Sequence, residues 1–340
     1  MRVGVLTGGG DCPGLNAALR AIVKQAERQH GHSLIGFRHG WRGVADGDLL
    51  DLTREDVRNV LPLGGTLLGT SRYHPGDEDG GVDKVLETLR AERVEALICL
   101  GGDGTIGAAA QLSERGVRIV AVPKTIDNDV AGTDRSIGFD TVVAIATEAI
   151  DRVHTTAESH DRVMVVEVMG HHSGWIATAA GIAGGADWIL VPEAPFSLTE
   201  MCRAIRHRHQ SHASYSIVVV AEGAAPRPDG PQQATPSGPW GSIVAGAIGG
   251  RITAAIAEQT GFETRLTVLG HVQRGGPPTA SDRLLASRLG VAAADAVGEV
   301  SESVMTALVG DEVKLVALKE VAGQVKAVPD DLLRTAFCLV

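Results

Sequence analysis

Several classes of protein are excluded by what this sequence lacks. Its four cysteines form no CxxC pair, so neither a zinc site nor a disulfide framework is predicted. No run of about 18 apolar residues that could cross a bilayer occurs. The chain begins with a short apolar run rather than the basic flank and apolar core of a signal peptide. These absences favour a cytoplasmic protein without membrane contact.

The sequence also has fewer basic than acidic residues, with 31 Lys and Arg and 41 Asp and Glu, which gives a net charge of −10 at pH 7. A sequence-independent nucleic-acid binder would need a basic surface, so we expect no nucleic-acid partner. The 44% apolar and 21% charged residues are ordinary for a globular protein. At 340 residues the chain exceeds the usual size of one hydrophobic core. This predicts two lobes with a cleft between them.

Short apolar runs alternate with amphipathic segments, as in buried parallel strands connected by helices. The predicted strands are residues 3–6, 34–37, 96–100, 119–122, 163–168, 189–191, 217–220 and 266–269. The predicted helices are residues 15–28, 81–93, 105–115, 141–159 and 243–259. This alternation predicts an α/β fold of two Rossmann-like, doubly wound lobes with mostly parallel sheets and an active-site cleft between them.

The expected limits of the lobes are residues 1–140 and 141–300, with residues 301–340 packing on the first lobe. Residues 224–241 are rich in Pro, Gly and Gln and predict an exposed insertion before a helix. Ligands of doubly wound sheets bind beyond the carboxyl ends of the strands. The segments that follow each apolar run are therefore the candidate functional loops.

Two glycine clusters follow predicted strands and open helices. The first is TGGGDCPGLN at residues 7–16, in which missing β-carbons let backbone N–H groups approach a phosphate near a helix N-terminus. It matches neither GxGxxG nor the Walker pattern, and a simple tight turn is the alternative. The second is LGGDGT at residues 100–105. Its Asp103 is a hard oxygen ligand suited to Mg²⁺ or, alternatively, a helix cap.

A third glycine-containing loop, GGTLLGTSRY, occupies residues 64–73 and ends in Arg72 and Tyr73. A cation and an aromatic ring together could clamp a nucleotide. The alternative is a turn followed by a solvated arginine, and this loop alone does not distinguish the two interpretations.

The sequence PKTIDND at residues 123–129 concentrates two carboxylates, an amide, a hydroxyl and a cation after a predicted strand. In phosphoryl transfer a carboxylate can accept the proton of the attacking hydroxyl while cations stabilise the transferred group. Asp127 is the predicted base, Thr125 a ligand of a phosphate or hydroxyl, and Asp129 a supporting acid. Asp and Asn side chains that only shape a turn are the alternative.

Cations that could hold a phosphorylated acceptor occur in TRLTVLGHVQRGG at residues 264–276, which contains Arg265, His271 and Arg274. The forked guanidinium of arginine matches phosphate oxygens in two places, which favours a sugar phosphate over an unphosphorylated sugar. Solvated surface arginine is the alternative for each residue. Glu222 follows another predicted strand and could accept hydrogen bonds from sugar hydroxyls.

Taken together, GGGDCPGLN, GGTLLGTSR, GGDGT, PKTIDND, Met169-Gly170 and LGHVQRGG resemble the 6-phosphofructokinase family in order and spacing over about residues 1–300. The sequence is most similar to the actinobacterial branch, which contains both ATP-using and pyrophosphate-using members. The resemblance implies a glycolytic kinase that phosphorylates the 1-hydroxyl of D-fructose 6-phosphate with Mg²⁺ as cofactor. It also implies a donor-binding first lobe and a sugar-phosphate-binding second lobe.

The resemblance assigns roles by position. The donor site would contain Gly10, Arg72, Tyr73, Gly102, Asp103, Gly104 and Thr105, with Asp103 holding Mg²⁺. The catalytic residues would be Asp127, Lys124, Thr125, Arg162 and His171. Contacts to the sugar phosphate would come from Thr125, Ile126, Asp127, Arg162, Met169, Gly170, His171, Glu222, Arg265, His271, Val272, Gln273 and Arg274. Arg162 and Arg265 would reach across from a neighbouring subunit, so the resemblance implies a homodimer or homotetramer with shared sites.

The donor is predicted from position 104. Gly104 leaves room and adds no negative charge where the α-phosphate of ATP would pass, whereas pyrophosphate-using relatives generally carry Asp there. Lys124 is also found in pyrophosphate users, which would use it to stabilise the transferring group. We base the choice of donor on Gly104 and predict ATP, with a pyrophosphate-dependent phosphofructokinase as the alternative.

One position departs from the family pattern, because the expected Met-Gly-Arg occurs as Met169-Gly170-His171, followed by His172. Neutral His171 would stabilise phosphoryl charge less well than arginine near pH 7. This departure motivates a second alternative, a sugar-phosphate or nucleotide sensor with weak or no turnover. A lipid or NAD kinase is a third, since those families also use Gly-Gly-Asp-Gly, but PKTIDND and LGHVQRGG argue against it.

Overall fold

The computed structural model describes residues 1–211, 214–227 and 244–339. Its strands are β1 Arg2–Thr7, β2 Ser33–Phe37, β3 Leu49–Asp51, β4 Ala96–Gly101, β5 Ile119–Pro123, β6 Val163–Val168, β7 Trp188–Leu190, β8 Ser216–Ala221, β9 Thr264–Val268, β10 Val304–Val309 and β11 Glu312–Ala317. Its α-helices are α1 Leu15–His30, α2 Trp41–Asp46, α3 Gly81–Ala91, α4 Asp103–Glu114, α5 Phe139–Ser159, α6 Trp175–Ala183, α7 Leu198–Gln210, α8 Ala247–Thr260, α9 Ala280–Glu299, α10 Leu318–Val321 and α11 Asp330–Cys338.

The chain divides into two compact units. Unit 1 contains Met1–Thr141 and Arg274–Lys326, and unit 2 contains Val142–Gln273 and Ala327–Val340. The α/β fold with parallel-dominated sheets is therefore confirmed. Among the described residues no helix combines the length and apolar character that a membrane span requires.

Unit 1 is built on a seven-stranded sheet of order β11-β10-β5-β4-β1-β2-β3. The pairs β5–β4, β4–β1 and β1–β2 are parallel, and β1 and β4 are buried along most of their length. Strand burial on both faces explains why these segments read as continuous apolar runs. The chain moves outward from β1 to β2 and then returns to the other side of β1 as β4. This reversal is a topological switch point, where doubly wound sheets bind ligands.

Unit 2 contains a four-stranded sheet of order β7-β8-β6-β9, in which the pairs β7–β8, β8–β6 and β6–β9 are all parallel. The carboxyl end of β6 therefore lies between those of β8 and β9. The residues that follow β6, β8 and β9 lie together at the carboxyl end of this sheet, which is called here one edge of the sheet. Those that precede β6 and β9 form the opposite edge.

The predicted lobe limits need correction in two places. Residues 274–300 belong to unit 1, because α9 packs along α1. A β-carbon added to Gly290 would lie only 2.8 Å from the Ala18 carbonyl oxygen, so glycine permits this close helix contact. The terminal residues 327–340 belong to unit 2 rather than unit 1, because α11 packs on α6 and β7.

All eight predicted strands occur in the structure, but the sequence analysis missed β3, β10 and β11. The hairpin of β10 and β11 turns at Gly310 and adds β10 parallel to β5. The half-exposed β11 lacks a continuous apolar run, which explains why that strand was missed, whereas the apolar run VMTALV of β10 was overlooked. The predicted helix 243–259 is observed as α8, and residue 243 lies outside the described part. Most of the predicted insertion at 224–241 lies outside it as well.

Candidate active site

Three predicted functional loops of unit 1 meet at the carboxyl ends of β1, β4 and β5, which are neighbours in the sheet. A β-carbon added to Gly8, after β1, would lie 2.5 Å from Thr105 Oγ1 in α4. One added to Gly102, after β4, would lie 3.4 Å from the Thr125 β-carbon after β5. The structure thus brings the two glycine clusters and the PKTIDND loop together at the switch point.

The first glycine cluster is itself held by other parts of the protein. Gly8 donates its N–H to the Leu100 carbonyl at 2.9 Å, and Gly9 donates to the Ser71 carbonyl at 3.0 Å. The Thr70 hydroxyl donates to the Gly9 carbonyl at 2.6 Å. Two of the N–H groups that the sequence suggested for phosphate binding are therefore already used. The Gly8 bond fixes the first loop to the end of β4, and the Gly9 and Thr70 bonds fix it to the third loop.

Lys124 is buried beneath the same cluster, with only 2% of the residue exposed. Its ammonium donates to the Gly8 carbonyl at 2.8 Å and to the Gly10 carbonyl. Burial lowers the pKa of Lys124, and the nearby Asp11 and Asp127 oppose that shift. Since an ammonium has three N–H donors, these two bonds leave one for other contacts. Lys124 therefore orients the glycine cluster by binding the carbonyl groups of Gly8 and Gly10.

Asp127 is half-buried in a loop held by short-range hydrogen bonds. Its backbone N–H donates to Thr125 Oγ1 at 3.1 Å, and this hydroxyl donates to the Asp127 carboxylate at 3.2 Å. The Ser136 hydroxyl donates to the Thr125 carbonyl at 2.7 Å. The next residue, Asn128, adopts a left-handed φ of 51°. Ile126 is buried, so its side chain supports the loop from the protein interior.

The second glycine cluster leads into α4 with Gly102 as its N-cap and Asp103 as its first residue. Since Gly102 occupies the cap position, the interpretation of Asp103 as a helix cap is wrong. Asp103 and Gly104 are exposed, while Thr105 is buried. A β-carbon added to Gly104 would have no heavy atom within 4 Å. The space beside α4 that the sequence analysis assigned to a donor is therefore open at this position.

No cluster of three or more potential metal-ligating His, Cys, Asp or Glu side chains occurs in the ranges that the structure describes. Mg²⁺ is commonly held by one or two carboxylates together with substrate phosphates rather than by a complete protein cage. The exposed Asp103 carboxylate beside open space fits that kind of coordination.

Arg72 and Tyr73 differ in their surroundings. Arg72 is exposed, whereas the Tyr73 hydroxyl donates to Glu78 at 2.9 Å. Partial burial and the bond to Glu78 raise the pKa of Tyr73 to about 12. The guanidinium carbon of Arg42 lies 5.0 Å from the centre of the tyrosine ring, in a cation–π contact. One face of the predicted aromatic clamp is therefore occupied by α2.

Arg274, one of the cations predicted to bind the sugar phosphate, belongs to unit 1, as do Thr125, Ile126 and Asp127. Its guanidinium lies directly against Gly10, where any β-carbon would collide with it. The Arg274 Nε atom is buried and has no hydrogen-bond partner among the described residues. This places a fixed cation beside the first glycine cluster.

In unit 2, Met169 and Gly170 follow β6, and Glu222 follows the adjacent β8. Glu222 is only 8% exposed, and its carboxylate accepts the His171 N–H at 2.9 Å. Gly170 has a φ of 142°, which only glycine adopts readily. The Gly170 carbonyl accepts the Ser173 N–H at 2.8 Å. Glu222 thus holds a tight turn in addition to any contact with a sugar.

His171 is exposed and adopts a left-handed φ of 53°. Non-glycine residues in this region usually carry local strain and are enriched at functional sites. Its ring centre lies 4.0 Å from that of His172, which is also exposed. The two adjacent histidines therefore present their rings together at the carboxyl end of β6.

The segment after β9 places its predicted residues differently. His271 and Val272 are exposed, and Val272 has 67% of its surface accessible. Gln273 is completely buried, and its side-chain amide donates to the Gly270 carbonyl at 3.1 Å. Gln273 therefore shapes the turn, while His271 is directly available to a ligand.

Arg162 and Arg265 lie at the opposite edge of the unit 2 sheet, where β6 and β9 begin. Arg162 forms an ion pair with Glu263 at 2.8 Å, and Arg265 binds the same carboxylate. These contacts lower the pKa of Glu263. The six residues of β6 place this edge about 20 Å from the turn at Met169, given about 3.3 Å of rise per residue. The two arginines are brought together, but away from Met169 and Glu222 of the same chain.

Two supporting residues were not identified from the sequence, because their side chains bond to segments that are distant along the chain. The Asn16 amide donates to the Leu63 and Gly64 carbonyls and accepts the Leu67 N–H, which ties the first glycine cluster to the third loop. Buried Asp282 in α9 accepts N–H groups of Gly138 and Thr141, and burial raises its pKa. For Asn16 the available signal was a polar residue in the predicted helix 15–28, whereas no helix was predicted around Asp282.

Comparison with known proteins gives consistent results. A sequence profile described as Phosphofructokinase matches residues 2–297. Pyrophosphate–fructose 6-phosphate 1-phosphotransferase of Amycolatopsis methanolica is 51% identical, with 97% of each chain covered. ATP-dependent 6-phosphofructokinase of Corynebacterium efficiens is 46% identical, with 97% of this chain and 96% of that protein covered.

A solved structure agrees in fold. Phosphofructokinase of Pichia pastoris in the T-state superimposes with a TM-score of 0.84 and 32% identity. The alignment covers 99% of this chain and 36% of that chain. The described chain thus spans about a third of the longer fungal subunit.

Proposed function

This chain belongs to the phosphofructokinase family, and from that premise we propose that it is an ATP-dependent 6-phosphofructokinase. It transfers the terminal phosphoryl group of ATP to the 1-hydroxyl of D-fructose 6-phosphate, giving fructose 1,6-bisphosphate and ADP in glycolysis. The observation that carries the proposal is the position of Asp127 beside the glycine clusters at the switch point of unit 1. The test is steady-state turnover with fructose 6-phosphate and each donor; saturable binding without product would instead favour the sensor.

In the proposed reaction the Asp127 carboxylate accepts the proton of the acceptor hydroxyl while that oxygen bonds to phosphorus and the bond to the ADP oxygen breaks. Thr125 orients the carboxylate through its hydroxyl. Lys124 keeps the Gly8–Gly10 backbone in place and adds positive charge behind it. Arg274, which lies against Gly10, is one of the cations that unit 1 offers to a phosphate.

Mg²⁺ fits this proposal through Asp103 and the phosphate oxygens of the donor. When bound, the ion neutralises phosphate charge and polarises the transferring group. Asp103 supplies the carboxylate, and the N-terminus of α4 beside it favours the phosphates electrostatically. The exposed position of Asp103 leaves it accessible to the hydrated ion.

The choice of ATP rests on Gly104 and the open space around it. Pyrophosphate is a second candidate, because the Amycolatopsis methanolica relative named for it is more similar, at 51% identity, than the ATP-dependent Corynebacterium efficiens relative at 46%. The presence of Lys124 is weaker evidence for pyrophosphate as the donor than the sequence alone suggested. Its ammonium already donates to two loop carbonyls.

Replacing Gly104 by Asp is expected to lower kcat/KM for ATP at least about tenfold more than kcat/KM for pyrophosphate, because the new carboxylate opposes the additional phosphate. The open space around Gly104 means that the variant should fold normally. The matched control is Gly104→Asn, which adds similar bulk without charge. A higher kcat/KM for pyrophosphate in the unmodified enzyme, at fixed Mg²⁺, would refute the ATP assignment.

His171→Arg is expected to increase kcat with fructose 6-phosphate by about 10-fold, a typical minimum effect of one charged hydrogen bond. Arginine remains protonated at neutral pH and would oppose developing phosphoryl charge. His171 is exposed, so the longer side chain has room. Arginine introduced at the neighbouring His172 is the control. A slower His171→Arg enzyme would mean that His171 performs a function that the usual arginine cannot.

A homo-oligomer with shared sites is part of the proposal. Arg162 and Arg265 lie at the opposite sheet edge from Met169 and Glu222, so they cannot readily serve that turn within one chain. Their common pairing with Glu263 supports their presentation as a unit to a neighbouring subunit.

A further inference from the structure

A C-terminal lysine contacts the loop that follows Asp127. Lys326 is the last residue of unit 1, and its ammonium donates to the carbonyls of Thr133 at 2.8 Å and Asp134 at 2.9 Å. Its backbone N–H donates to the Asp129 carbonyl at 2.7 Å. Val325 and Val130 form an antiparallel bridge beside these bonds. Lys326 thus contacts this loop through both main chain and side chain, although it lies almost 200 residues away in sequence.

The hydrogen bonds continue from Lys326 towards the proposed base. The Asp134 carbonyl that accepts from Lys326 also accepts from the Asn128 side chain at 3.3 Å. Asn128 Oδ1 in turn accepts the Ser136 N–H at 3.0 Å. Asn128 has a left-handed backbone and directly follows Asp127. Its side chain closes the loop that determines where the Asp127 carboxylate lies.

The other end of this loop is fixed to β10. Asp134 donates its N–H to the Leu308 carbonyl at 2.8 Å, and the Thr133 hydroxyl accepts the Leu308 N–H at 3.0 Å. The Asp134 carboxylate accepts the Gly310 N–H at 2.7 Å. Residues 133–134 are therefore anchored on one side by β10 and on the other by Lys326. A change at Lys326 would release the side nearer to Asn128.

We propose that Lys326 is a positioning residue for phosphoryl transfer, holding the 127–134 loop so that the Asp127 carboxylate stays aligned with the acceptor hydroxyl. This inference rests on the proposed function. Lys326 acts through Asn128 and the loop backbone, and it touches neither substrate. Because reaction rates depend steeply on the alignment of the reacting groups, loss of the lysine should affect kcat more than KM.

The charge of Lys326 adds a pH dependence. Burial lowers its pKa from 10.5 to about 8, Asp134 and Asp129 partly oppose the shift, and Arg135 adds to it. Between these two pKa values the unfolded chain binds more protons than the folded chain, so this group makes folding more favourable as pH rises. Deprotonation above about pH 8 therefore removes charge from the loop without destabilising the fold. A neutral amine donates weaker hydrogen bonds to the Thr133 and Asp134 carbonyls than an ammonium does, so we expect kcat to fall there while the protein remains folded.

The experiment compares Lys326→Met, Lys326→Arg and the control Lys319→Met in the full-length chain. Lys319 also lies in the C-terminal part of unit 1, but its side chain is 75% exposed. We expect Lys326→Met to lower kcat by about 10-fold with less than about threefold change in either KM. Lys326→Arg should recover most of kcat at neutral pH and keep it above about pH 8, because arginine stays protonated.

Hydrogen–deuterium exchange gives a readout that does not require turnover. Peptides covering residues 127–136 should exchange faster in Lys326→Met than in Lys319→Met, with unchanged exchange in the β1 and β4 peptides. Equal exchange, or wild-type kcat and pH profile in Lys326→Met, would overturn the proposal. Absence of turnover by the unmodified protein with fructose 6-phosphate and either donor would refute the proposed function instead, and the exchange comparison would still decide whether Lys326 positions the loop.

Discussion

Asp127→Ser is expected to lower kcat at least about 100-fold, the usual contribution of a positioned general base, with little change in either KM. The serine hydroxyl cannot accept the proton of the acceptor at neutral pH. The substitution leaves the backbone bond from residue 127 to Thr125 Oγ1 available, so the loop should keep its form. Steady-state kinetics with fructose 6-phosphate and the preferred donor provides the measurement.

Two further variants make this result specific. Asp127→Asn retains the shape of the side chain but not its basicity, and it should be as slow as Asp127→Ser. Asp77→Ser removes a carboxylate that is 83% exposed in the same unit, and it should leave kcat unchanged. Near-wild-type turnover of either Asp127 variant would remove Asp127 from the mechanism.

Mixing two inactive variants should restore activity if sites are shared between subunits. Asp127→Ser and Arg162→Ala are each expected to be strongly impaired. In a hybrid dimer, one site combines the intact Asp127 of one chain with the intact Arg162 of the other. Random reassociation should therefore restore about a quarter of wild-type activity, because half of the dimers are hybrids with one good site in two.

The matched control mixes Asp127→Ser with Asp103→Ala. Both residues belong to unit 1 and to the proposed donor and catalytic loops of one chain, so a hybrid would contain no intact site. Activity after mixing should stay at the level of the separate variants. Failure of the Asp127→Ser and Arg162→Ala mixture to regain activity, with subunit exchange verified by mass spectrometry, would contradict the shared site.

The sequence predicted the parallel strands well for a physical reason. Strands covered on both faces must be apolar throughout, so β1, β4, β5 and β6 stand out as continuous runs. Strand β11 could not be recognised in this way, because it is largely exposed and carries charged residues. The place of its partner β10 beside β5 depends on a pairing between distant segments.

The candidate site was predictable to the extent that its chemistry is local. Glycine clusters, Asp103 and the acid-rich loop are each contained within a few residues, and their positions after strands indicate a ligand-binding edge. The ion pair of Arg162 with Glu263, which Arg265 also joins, could not be inferred in this way, since Arg162 and Glu263 are about 100 positions apart and directly precede β6 and β9. Pairing of the two strands brings them together.

By itself the sequence determined the α/β class, eight of the strands, the candidate loops for phosphate and acid–base chemistry, and the resemblance that the family comparison confirmed. Tertiary structure alone decided which long-range contacts hold those loops and their neighbours. It decided that Lys124 binds the Gly8 and Gly10 carbonyls, that Arg162 lies at the edge opposite Glu222, and that Lys326 holds the loop after Asp127. Strand order and long-range hydrogen bonds set these contacts, and both depend on packing between segments that no local pattern of residues specifies.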